Sequence, residues 1–212
     1  MRIRTKEELQ DCMSNDLGWR KKELTNLHND VKTASSKKLP TALRCAVVLL
    51  YAHWEGFIKN AAEYYLIYIK SLRLNLNEVN KNILALCLKQ KIKEFNFTQK
   101  ATYHVQFVDY FTNNLGERVN FSETDSIRTG SNLNSTILEE ILATIGIDFD
   151  PYELKSNLID AQLINYRNTI AHGHYLPVDK TKYEILHNEI LGMLDRISSD
   201  ITNATVLEKF KI

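Results

Sequence analysis

Apolar residues recur at steps of three, four and seven from residue 39 to about 72, at Leu43, Val47, Leu50, Trp54, Phe57, Ala61, Tyr65, Tyr68 and Leu72. Those steps keep side chains on one stripe of an α-helix, and the stripe predicts a core helix. Pro40 suits its first turn. The far side of its first half is apolar as well, at Cys45, Val48, Leu49 and Ala52, which predicts burial between two layers or contact with another subunit. Upstream, residues 5 to about 34 are rich in helix formers and lack proline, so a long surface-lying helix is expected, bent or interrupted at Gly18. Two shorter helices are expected over about 77–95 and 98–114. Between 113 and 135 the apolar period gives way to turn-forming and polar residues, which predicts a long loop. Ser135 is the expected cap of the next helix, with Glu139 and Glu140 in its early turns and Gly146 as its stop. A helix over about 153–172 and a last one from about 179 complete an all-α chain.

Composition narrows the class. With 44% hydrophobic and 25% charged residues, and only 7 Gly and 3 Pro among 212, the sequence fits one helical domain over 1–212. A formal charge of +1 gives no long-range pull on a polyanion, so RNA contact has to come from local clusters such as Arg20-Lys21-Lys22, Lys37-Lys38 or Lys89, Lys91 and Lys93. Cys12, Cys45 and Cys87 are odd in number and lack a ligand pattern, so neither a disulfide framework nor a zinc site is expected, and a reducing, cytoplasmic setting fits. "AVVLLYA" at 46–52 is too short to span a bilayer, and the basic N-terminus has no apolar run behind it, so neither a membrane span nor a secretory signal is expected. No carboxylate cluster, glycine-rich phosphate loop or Ser/His/Asp arrangement stands out, and no metal or cofactor is expected.

The stretch "YRNTIAHGH" at 166–174 carries the chemistry. On a regular helix, Ile159, Leu163, Tyr166 and Ile170 form the core stripe, Arg167 lies on its flank, and Asn168 and His172, four apart, stack on the opposite face. Ile164 and Ala171 are expected on that outward face too, as a packed groove between two copies would need. The competing reading is a plain helix terminus: an imidazole near the last carbonyls, with Gly173 supplying a left-handed cap.

"RNTIAHG" together with "YAHWEGFIKNAAEYYL" at 51–66, in that order and on a late and an early helix, resembles the signatures of the HEPN superfamily, all-helical proteins of prokaryotic toxin and defence systems. The resemblance covers most of the chain. It implies a HEPN-like antiparallel helical bundle with extra helices, acting as a metal-independent endoribonuclease whose site is completed by a second copy. Arg167 and His172 would then be catalytic with Asn168 beside them. From its place off the core stripe, Glu55 is open to pairing with or orienting Arg167 or, as the plainer reading, to a surface salt bridge or cap contact; His174, just past the helix end, is open to contacting RNA or to simple exposure. Expected products are a 2′,3′-cyclic phosphate and a 5′-hydroxyl, with an antitoxin or defence-system protein as partner. The alternative is a non-catalytic HEPN-like dimeric interaction or RNA-binding module.

Overall fold

The computed structural model describes residues 2–96 and 100–212, and the side chains at 90–96, 123 and 124 lie outside that description. Helix α1 (Lys6–Thr33) opens where the Thr5 hydroxyl accepts the Glu8 N–H, 3.1 Å, and it runs through Gly18 without the expected break. Helix α2 (Leu39–Ser71) has its proline in the first turn, where no N–H is missed. A short 3-10 turn (Leu76–Glu78) leads to α3 (Lys81–Asn96) and α4 (Ala101–Asn113). The expected start of the fourth helix at 98 lies outside the described residues, as do the side chains of Lys91 and Lys93. The polar stretch 113–135 is mostly loop but holds one short helix, α5 (Glu123–Ser126).

Helix α6 (Ser135–Ile145) begins one residue earlier than expected. Asn134 is its cap, accepting the Ile137 N–H at 2.8 Å, and Ser135 is instead a helical residue whose N–H and hydroxyl both donate to Asp160. Gly146 closes it at φ +73, a conformation open to glycine at little steric cost. There follow α7 (Asp150–Glu153), a π-wound segment (Leu158–Ile164), α8 (Asn165–Ala171) and α9 (Lys180–Val206). Among the described residues there are isolated bridges, Asn75 with Arg118 and Val79 with Lys211, but no strand.

Three long helices form the frame. Lys6 pairs with Glu208, Lys21 with Asp195, and His28 stacks on His187, so α1 and α9 run antiparallel. Asn60 reaches Asp16, and Arg20 reaches the His53 carbonyl, so α1 and α2 run antiparallel as well. Every predicted core residue of α2 from Leu43 to Tyr68 is buried, and Leu72 is half-buried. Trp54 is packing, fully buried.

The α1–α2 contact also buries charge. Arg20 Nε lies 3.1 Å from Asp16 Oδ1, which also accepts Trp19 Nε1 at 2.8 Å, while Asn60 donates to the other carboxylate oxygen. A buried ion pair with its remaining lone pairs satisfied is tolerated where a half-paired one is not. Arg20 is therefore a structural residue, not part of an RNA-binding cluster. Gly56 makes room for it: a Cβ there would sit 2.6 Å from Arg20 Nη1. His53 belongs to the same contact, with Nε2 2.7 Å from Glu23 Oε2; burial holds its pKa below the usual value against the pull of that carboxylate.

Candidate active site

The motif helix departs from the regular winding that a helical wheel assumes. Over Leu158–Ile164 the backbone pairs i with i+5, which brings residues five apart to one side. Ile159 and Ile164 both enter the core, at 0% and 6% exposure, so Ile164 leaves the outward face on which a 3.6-residue period puts it. Leu163 is buried as expected, whereas Tyr166 and Ile170 are half-buried against a smaller cluster built on Val31, Leu43, Val47 and Tyr183. Ala171 and His172 are exposed.

Arg167 is held at three points. Its guanidinium carbon lies 4.3 Å from the centre of the Tyr51 ring, Nη1 donates to Asn168 Oδ1 at 2.7 Å, and Nη2 donates to the Ser131 carbonyl at 2.9 Å. Asn168 in turn donates to Asn132 Oδ1 at 3.3 Å. The Tyr51 hydroxyl accepts the Leu133 N–H at 2.7 Å, so one aromatic residue of α2 supports both the arginine and the loop that grips it. Ser131 stands at φ +57 next to Gly130 at φ +62. A non-glycine residue in that region is strained, and here its carbonyl is the one facing Arg167.

Burial pushes the Tyr51 hydroxyl up to about 12, with the Glu55 carboxylate adding to the rise and Arg167 opposing it. Glu55 thus acts on the arginine's support. Among the described residues no ion pair joins Glu55 to Arg167; the Glu55 carboxylate instead faces the Tyr51 hydroxyl. Neither histidine enters this cluster. His172 ends α8, its N–H bonded to the Asn168 carbonyl at 3.0 Å, with its ring exposed. Gly173, at φ +79, donates to the Ile170 carbonyl, and the His174 N–H reaches back to Thr169 at 3.1 Å, the paired bonds of a Schellman cap. Arg167 and Asn168 thus sit together beside α2 and the 131–133 loop, with His172 one turn on at the open end.

Tyr51, Ser131 and Asn132 hold the arginine but carry no local signal in the sequence. Tyr51 is the first letter of the quoted α2 stretch, and its position four before Glu55 is the only hint. Lys22, Lys37, Lys38 and Lys89 are exposed, while Lys21 pairs with Asp195.

An all-helical bundle whose late helix carries Arg167 stacked on Tyr51 of a long early helix is consistent with the HEPN fold. A family model described as RiboL-PSP-HEPN matches residues 15–203, and the chain belongs to that family. Comparison with curated proteins and with solved structures returned no match. Membership marks the chain as a nuclease or RNA-related module. No described helix is long and apolar enough to cross a membrane.

Proposed function

We propose that the chain is a metal-independent endoribonuclease of a toxin–antitoxin or phage-defence system, cutting RNA in the cytoplasm at a groove shared by two copies. The observation that carries this reading is the immobilised Arg167: a charged fork stacked on Tyr51 and tied to Asn168 and Ser131, with the rest of its N–H donors left to meet a phosphate. A donor fixed before the substrate arrives costs no reorganisation as charge builds on the phosphorane. His172, exposed at the end of the same helix, supplies proton transfer near neutral pH. One imidazole takes the 2′-hydroxyl proton as that oxygen attacks phosphorus, and the partner copy's imidazole protonates the departing 5′-oxygen. The products are a 2′,3′-cyclic phosphate and a 5′-hydroxyl.

In this reading Asn168 positions the arginine, because its amide oxygen accepts from Arg167 and its amino group meets Asn132. His174 lies beside the groove as an RNA contact. The same clamp supports a second reading, a non-catalytic dimeric or RNA-binding module, since two arginine donors engaged within the chain also suit a structural lock. Total RNA incubated in EDTA with the parent protein, Arg167→Ala and His172→Ala separates the two. New 5′-hydroxyl ends that appear with the parent and vanish with both variants are expected; cleavage unchanged in His172→Ala removes the catalytic assignment.

A further inference from the structure

Four cations gather at the far end of α2. On the extended segment before α1, alternate residues face opposite ways, so Ile3 enters the core at 0% exposure while Arg2 and Arg4 face outward together. They line a groove of about 230 Å³ whose other wall carries Lys70 and Arg73, with Ile67 between them. Lys70 is fixed there by donating to the Phe121 carbonyl at 2.7 Å. Arg73 stands at φ +53, and its carbonyl accepts from Arg118, which brings a fifth cation to the rim.

No carboxylate lines this groove among the described residues. Glu8 stands at its edge, with one oxygen engaged by the Arg4 N–H at 2.6 Å. The chain as a whole is nearly balanced, with 27 basic and 26 acidic residues, so a groove lined by Arg2, Arg4, Lys70 and Arg73 without a described carboxylate departs from that average. A bound anion would offset the mutual repulsion of the exposed Arg2 and Arg4 and of Arg73 across the groove.

Distance gives the groove its meaning. From Tyr51, under Arg167, to Lys70 the axis of α2 rises roughly 28 Å at about 1.5 Å per residue. An A-form RNA stem of about one helical turn is long enough to bridge that separation. We propose that the Arg2/Arg4/Lys70/Arg73 groove is a second phosphate-backbone site, which anchors a folded RNA at a stem remote from the point of cleavage. The groove's ligand chemistry stands on its own cations; that the same RNA is cut at the other end rests on the ribonuclease reading. Long structured RNAs are then held at two places and short single strands at one.

The test uses full-length His172→Ala, so that RNA survives, with and without Arg2→Gln, Arg4→Gln and Arg73→Gln combined. Binding of a labelled hairpin longer than the separation, and of a tetranucleotide, is followed by fluorescence anisotropy at several salt concentrations. The triple substitution is expected to weaken hairpin binding about tenfold or more and to reduce its log–log salt slope by about 2, while tetranucleotide binding is unchanged. Equal loss for both probes, or no loss for either, overturns the proposal. So does capture of phosphatidylserine vesicles that depends on these arginines while hairpin binding does not. Should the triple variant fail to fold by circular dichroism, Arg2→Gln alone, on the exposed segment, is read by a salt slope lower by about 0.7 to 0.9. Hairpin binding through the groove without any cleavage by the parent protein keeps the groove and removes the ribonuclease. The reverse result, His172-dependent cleavage with the hairpin and tetranucleotide cut in an unchanged ratio by the triple variant, does the opposite.

Discussion

Arg167 serves a phosphate only if its guanidinium plane stays where Tyr51 puts it, and Tyr51 has two jobs that substitution can separate. Tyr51→Phe keeps the ring under the arginine but strips the acceptor from the Leu133 N–H. A buried donor left unpaired costs about 1–3 kcal/mol, so urea denaturation is expected to show a loss of that size. Tyr51→Leu also removes the cation–π contact, a further loss of about 0.5–2 kcal/mol, and lets the guanidinium swing. Cleavage measured at saturating RNA should therefore fall much further in Tyr51→Leu than in Tyr51→Phe, with kcat moving more than KM. Equal kcat values in the two variants would mean that the ring does not position the arginine.

The motif helix shows where a sequence stops being legible. Ile159 and Leu163 are buried as a regular period predicts, and so is every α2 residue predicted for the core from Leu43 to Tyr68, because apolar spacing on an unbroken helix reports its buried face directly. Ile164 fails because one π-wound segment resets the phase, and nothing local in "LIDAQLI" announces it. Ser131 and Asn132 fail for another reason: their partners lie 36 positions away, in a stretch whose composition says only that it is polar. Gly146 and Gly173, by contrast, are legible, since a left-handed cap calls for glycine and both occupy one. The winding makes a testable difference. Ile164→Ala is expected to cost about 2–5 kcal/mol in chemical denaturation, as for a core isoleucine. The exposed neighbour Asn165→Ala should stay within about 0.5 kcal/mol of the parent. Near-equal effects would place Ile164 on the outward face after all.

At the scale of the whole molecule, the frame is sensitive to acid where α1 meets α9. The His28 and His187 rings stack at 4.3 Å, with His28 Nδ1 and His187 Nε2 buried and without hydrogen-bond partners. Burial lowers the His28 pKa, and His187, Lys32 and Lys180 lower it further against the pull of Glu184; burial lowers His53 in the same way. An unfolded histidine titrates near 6.5, so below that pH the unfolded chain binds more protons than the folded one. Stability is therefore full above about pH 6.5 and declines as pH falls toward the folded values. Thermal melts should show this decline in the parent and a shallower one in His28→Phe, which keeps a stacked ring without a proton to take up; parallel curves would assign the acid loss to other groups. The proposed two-copy groove needs a contact surface, and the opposite side of α2 offers one. Cys45, Leu49 and Ala52 remain exposed in the single chain, on a helix that packs against α8. If the proposed ribonuclease is shared by two copies, a second chain would cover this apolar strip and bring its own His172 across. Leu49→Lys places a charge in that contact without touching the core. The substituted protein is expected to melt within a few degrees of the parent, to run as a monomer in light scattering, and to lose RNA cleavage in the same step. A Leu49→Lys variant that keeps both its parent mass and its cleavage would move the shared groove to another face.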